Sequence, residues 1–133
     1  MQFLQERGVQ DHVQFLGSVD QSTLIAWYHR ADVAVVPSLN YESFSYTCAQ
    51  AMAAELPVVA SCAGGIPETV DDGVSGLLVE PGEVEELSRA LVILAQDGDL
   101  RRRMGEEGVR KARRCFDSAV VAEQMAQVYA AAL

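Results

Sequence analysis

Two stretches of this chain set residue types that bind polar ligands at the mouths of helices. The first, Pro37-Ser38-Leu39-Asn40-Tyr41-Glu42-Ser43-Phe44-Ser45, follows an apolar run and places one carboxylate, Glu42, ahead of a helix of small residues. The second, Cys62-Ala63-Gly64-Gly65-Ile66, follows another apolar run, and its paired glycines let a ligand approach the backbone. Helix N-termini present unpaired N–H groups and partial positive charge, so ligands of doubly wound sheets collect at the carboxyl ends of strands. Glu42 and Gln50 are eight residues apart, about two helical turns, so both can point to one side of the same crevice. Plainer readings stand beside these. Glu42 also suits a charge complementing a helix dipole, Gln50 a half-buried helix residue, and Gly64 and Gly65 a turn. Glu68 reads as the first-turn acid of a short helix.

Other chemistries find little support. His12 and His29 have no acidic or cysteine neighbour at ligand spacing, so neither a catalytic nor a metal role is expected. The cysteines, Cys48, Cys62 and Cys115, are an odd number without CxxC spacing, which suggests neither a disulfide framework nor a zinc site and fits a reducing cytoplasm. Cys48 and Cys62 read as buried small hydrophobes, and Trp27 and Tyr28 as core residues of a helix face.

The elements that must position these residues alternate regularly. Val13-Gln14-Phe15-Leu16 reads as a strand stopped by Gly17. Asp20 can cap a helix whose Leu24, Trp27 and Tyr28 share a face. The run Val33 to Val36 suits a parallel strand buried on both faces, followed by a helix from about Ser45 to Ala54 and a strand at Val58 to Ser61. Glu68 to Val70 is one helical turn, and Leu77 to Val79 a short strand. Leu87, Ala90, Leu91 and Leu94 mark an amphipathic helix, Leu100 to Arg114 a helix weakened by Gly105 and Gly108, and Asp117 the cap of a last helix burying Val121, Met125, Val128 and Tyr129. The expected fold is α/β, an open parallel sheet closed by C-terminal helices.

At 133 residues the chain is a single domain over 1–133, against about 150 residues per domain. Half of its residues are hydrophobic and 22% are charged, so a real core is expected. A net charge of -9 argues against nucleic acid as the partner. Arg101 to Arg114 nevertheless holds seven of the ten cations. That segment reads as a solvated face or, more sharply, as a contact for acidic lipid headgroups. No apolar run approaches the roughly 18 residues of a membrane span, and the opening lacks a signal-peptide layout.

The successive segments FLGSV, ADVAVVPS, ESFS, QAMAAELPVVAS, GGIPE, DDGVSGLLV and LRRRMGEEG resemble, in order, the C-terminal nucleotide-sugar-binding half of the retaining GT-B glycosyltransferases of the group 1, or GT4, family. The resemblance covers about Val13 to Tyr129. It implies a Rossmann-like parallel sheet flanked by helices, the partial C-terminal half of a GT-B fold. It also implies that the family's E-x7-E element falls on Glu42 and Gln50. Glu42 would then contact hydroxyls of the donor sugar as the catalytic-site residue. The N–H groups of Ser43, Phe44, Ser45 and Tyr46, with Gly64, Gly65 and Ile66, would approach the donor, and Gln50 would face its ribose. The substrate implied is a nucleotide diphosphate sugar, with no cofactor and no metal.

Three positions depart from the family pattern. Gln50 stands where a glutamate is usual and accepts a ribose hydroxyl without charge assistance. Ser45 replaces a common glycine but is a competent N-cap. Glu55 replaces the glycine that usually ends this helix, at a cost of about 1 kcal/mol in a left-handed C′ conformation. Relatives also carry an N-terminal acceptor domain and two further strands with an Arg and a Lys for the diphosphate, none of which precedes Met1. The chain is therefore expected to be a truncated donor-binding domain, inactive alone. The alternative is a non-catalytic nucleotide-sugar-binding or assembly module. In the family's strand order, 3-2-1-4-5-6, the strands at 13–16 and 33–36 lose neighbours. The expectation is that they pair directly or that the edge forms a homodimer.

Overall fold

The computed structural model describes residues 2–132. Three parallel strands, β1 (Ala34–Val36), β2 (Val58–Ser61) and β3 (Gly76–Val79), form one sheet in the order β1-β2-β3. Ala34 pairs with Val58, and Val58 in turn with Gly76. The helices are α1 (Gln2–Glu6), α2 (Gln21–Tyr28), α3 (Tyr46–Ala53), α4 (Ile66–Thr69), α5 (Val84–Gln96), α6 (Gly98–Cys115) and α7 (Ser118–Ala131), with a 3-10 turn at Gln10–His12. The α/β class and the parallel sheet are as the alternation of runs and turns implies.

β2 is the centre of the core because its four residues are buried and its side chains alternate between two faces. Val58 and Ala60 pack with Cys48, Ala51 and Met52 of α3 and Ile66 of α4. Val59 packs on the other face with Ala90 and Leu94 of α5. α6 serves both faces, Met104 joining the second cluster and Ala112 the first. Each fully buried Leu, Met or Val contributes roughly 1.5–3 kcal/mol.

Glycines set the tightest packing. A Cβ on Gly105 would stand 2.2 Å from the Glu55 carbonyl oxygen, and one on Gly108 would touch Met52. These residues therefore do not weaken α6 so much as let it lie against the end of α3. That end is a Schellman motif: Leu56 N–H donates to Ala51 O at 3.0 Å and Glu55 N–H to Met52 O at 3.0 Å. Glu55 occupies the left-handed position at φ 63°, as the resemblance implies for the residue that replaces the usual glycine.

Several expectations are overturned. Residues 13–16 form no strand; Val13, Phe15 and Leu16 are exposed, and β1 pairs with β2 alone. An extended apolar run becomes a strand only where a neighbour accepts its N–H groups. Direct pairing of 13–16 with 33–36 is thereby excluded. β1 is an edge strand, buried fully only at Val36 and exposed at Val35, rather than covered on both faces. α7 forms on its Asp117 cap, but Val121, Met125, Val128 and Tyr129 are all exposed, Val121 and Met125 bordering an open groove rather than a packed neighbour. Trp27 and Tyr28 are half-buried; Tyr28 reaches the core, while Arg30 lies over the Trp27 ring at 4.6 Å. Cys48 is buried, but Cys62 is exposed just beyond β2.

Candidate functional site

The two loops singled out by their residue types meet at the carboxyl ends of β1 and β2. Gly65 N–H donates to the Glu42 carbonyl oxygen at 2.6 Å. A Cβ on Gly64 would fall 2.2 Å from that same oxygen, and one on Gly65 2.3 Å from the Ser43 oxygen. Gly64 also carries φ +58°. The paired glycines are thus required by loop-on-loop contact, and that contact brings Glu42, Ser43, Gly64 and Gly65 together. The loop after β3 joins them, since a Cβ on Gly82 would lie 3.7 Å from Leu39 Cδ2.

Glu42 is half-buried, and Ser38 Oγ donates a hydrogen bond to its Oε1. Ser45 is buried and caps α3, its Oγ accepting from Cys48 N–H at 3.4 Å. The N–H groups of Tyr46 and Thr47 precede the first intrahelical bond and point out of the helix start. Burial pushes the Cys48 thiol up, the Ser45 hydrogen bond opposes that, and the Glu42 charge adds to the rise. Ile66 is fully buried, so only its backbone can face a ligand.

Gln50 is exposed and faces a different neighbourhood. With Phe44, Tyr46, Arg113, Phe116 and Met125 it lines a groove of about 850 Å³ between α3, the end of α6 and α7. Phe44 joins the two places, its ring meeting Tyr46 and Phe116 edge-on at 5.1 and 5.3 Å. Glu42 does not line that groove, whereas Phe44, two residues on, does.

Residues 2–111 match the family described as glycosyl transferases group 1. The chain belongs to this family. It is 39% identical over 125 residues to the D-inositol 3-phosphate glycosyltransferase of Corynebacterium glutamicum, covering 94% of this chain and 29% of that protein. HepE of Anabaena, solved in complex with UDP, superposes with a TM-score of 0.89 at 29% identity, over 98% of this chain and 35% of HepE. The C-terminal domain of a group 1 glycosyl transferase, LpcC of Francisella tularensis, superposes with a TM-score of 0.80 at 28% identity, over 88% of this chain and 60% of that one. The chain thus spans about a third of the length of the Corynebacterium protein and of HepE and has the Rossmann-like α/β architecture of the C-terminal half of a GT-B glycosyltransferase.

In this glycosyltransferase chain the basic segment is largely engaged. Arg101 donates to the Leu94 and Ala95 carbonyls at the end of α5. Arg102 pairs with Glu106 and Asp99, Arg110 with Glu107, and Lys111 with Asp71 at 2.6 Å. Arg103, Arg113 and Arg114 are exposed without an ion-pair partner among the described residues. Arg102, Arg103, Arg110, Arg113 and Arg114 are all exposed, as a solvated face implies, while Arg101 is half-buried and Lys111 buried. Among the described residues no group of three or more His, Cys, Asp or Glu side chains is placed to hold a metal ion, and no helix is long and apolar enough to cross a membrane.

Ser38 escaped the sequence reading as a site residue. Its signal was the four-residue spacing to Glu42, which carries no meaning in a loop until the loop's course is known.

Proposed function

We propose that this chain is the donor-binding part of a retaining glycosyltransferase that moves a sugar from a nucleoside diphosphate sugar to an acceptor held by a second domain. The observation that carries this reading is the junction of the two strand-end loops, where Glu42 stands beside Gly64, Gly65 and the open start of α3. A carboxylate there accepts hydrogen bonds from sugar hydroxyls, and open backbone N–H groups complement a diphosphate. HepE, which shares this fold, has been solved with UDP-glucose. Gln50 faces the ribose, and the donor requires neither metal nor cofactor. Catalysis is positioning and charge stabilisation of the leaving diphosphate. The protein works in the cytoplasm, and Arg103, Arg113 and Arg114 remain as the contact for an acidic membrane surface.

Titration of UDP, GDP and ADP against the wild type and Gln50→Glu tests the site. The substitution adds a charge-assisted hydrogen bond of about 1 kcal/mol beyond a neutral one, so affinity rises about fivefold. No change removes Gln50 from the site. The 133-residue chain alone forms no transfer product, because proximity within a closed cleft supplies roughly 7–11 kcal/mol of the barrier. Turnover by the isolated chain contradicts this. The open edge of β1 also makes a second copy a partner, and a strictly monomeric sedimentation profile overturns that.

A further inference from the structure

The main chain of Glu42 is held from below, by the bond from Gly65 N–H to its carbonyl oxygen and by glycine backbones packed against residues 42 and 43. What remains free at such a position is the side chain. Ser38, two residues past the end of β1, donates its Oγ hydrogen to Glu42 Oε1 across the loop. No group among the described residues donates to Oε2. An ionised carboxylate accepts at about four lone-pair sites, so one oxygen is fixed while the other stays available.

We propose that Ser38 is a positioning residue for the donor sugar: its hydroxyl orients the Glu42 carboxylate so that Oε2 meets a hydroxyl of the sugar in a nucleoside diphosphate sugar. The inference rests on the donor-site reading above and deepens it, because it separates recognition of the sugar from recognition of the nucleotide. Base, ribose and diphosphate contacts do not pass through the Glu42 carboxylate. Loss of the Ser38 hydroxyl therefore affects only ligands that carry the sugar. The separation also distinguishes positioning from a merely structural role, since general loosening of the loop would weaken both ligand types.

The test compares Ser38→Ala, Ser38→Thr and the near-isosteric Ser38→Cys with wild type in calorimetric titrations. The probes are UDP-glucose, GDP-mannose and UDP-N-acetylglucosamine, each beside its own nucleoside diphosphate. Ser38→Ala and Ser38→Cys weaken the nucleotide sugar by about five- to tenfold and leave the nucleoside diphosphate unchanged, while Ser38→Thr retains wild-type affinity. In a Glu42→Gln background the loss on Ser38→Ala shrinks, as expected when one residue acts through the other. Equal weakening of both ligand types, or none, overturns the role of Ser38 and leaves the donor site standing. Failure of the wild-type chain to bind any of the five probes overturns the donor-site reading and this inference with it. If Ser38→Ala does not fold, the Ser38→Cys comparison decides alone.

Discussion

The centre of the molecule and its two flanks contain equally well-formed helices, yet only the centre has a core. α3, α5 and α6 each contribute buried residues, among them the fully buried Met52 and Leu94. α1, α2 and α7 contribute none. The caps do not explain the difference: Asp20 and Asp117 accept backbone N–H groups in the flanks as Asp97 does in the centre. Capping and propensity decide whether a helix forms, whereas burial depends on a facing surface. The flanks accordingly leave Phe3, Phe15, Val128 and Tyr129 more than 60% exposed.

Substitutions should divide along this line. The largest loss is expected at Gly76, where a Cβ would stand 2.1 Å from the Val58 carbonyl oxygen inside the sheet. Gly76→Val should cost about 3 kcal/mol or more, and Leu94→Ala about 2–5 kcal/mol, in denaturant unfolding. Val128→Ala in α7 should stay within about 0.5 kcal/mol. A loss at Val128 comparable to that at Leu94 would erase the distinction. An intermediate effect belongs to Lys111, nearly buried and paired across the core's edge with Asp71. Because Asp71 is half-exposed and regains water, Lys111→Ala should cost about 1–2 kcal/mol.

The same line explains what the sequence could express. β2 was legible because the apolar run Val58 to Ala60 behind Pro57 has few other fates, and Glu55 because the resemblance puts it where relatives end this helix with glycine. Residues 13–16 have equal strand propensity but no partner strand, a property of the rest of the sheet rather than of Val13 to Leu16. Lys111 and Asp71 lie forty residues apart, so their pairing is written in the packing of α6 and not in any local pattern. In the candidate site, Glu42, Gly64 and Gly65 were recognisable from strand-end position and resemblance. Ser38 needed the course of the loop.

Smaller effects sharpen the comparison chemically. Alkylation of the native chain should modify exposed Cys62 and spare Cys48, whose thiol burial pushes up and encloses; Cys48 should react only on unfolding. Smallest of all, the Asp20 carboxyl is lowered chiefly by the Thr23 backbone hydrogen bond. A lowered folded value stabilises above the ordinary Asp range, and the contribution is lost as pH falls through the folded value. Asp20→Asn should keep the cap and remove that acid-limb dependence of α2 helicity, read by amide exchange near Thr23.

The central claim is that the loops ending β1 and β2 form one donor site, and amide chemical-shift mapping with the nucleotide sugar that binds tests it most directly. The expected result is shifts concentrated at Ser43 to Tyr46 and at Gly64 to Ile66, with the larger change at Gly65 when the sugar is present than with the nucleoside diphosphate alone. Shifts confined to the groove between α6 and α7, with the amides of Gly64 and Gly65 unmoved, would contradict it.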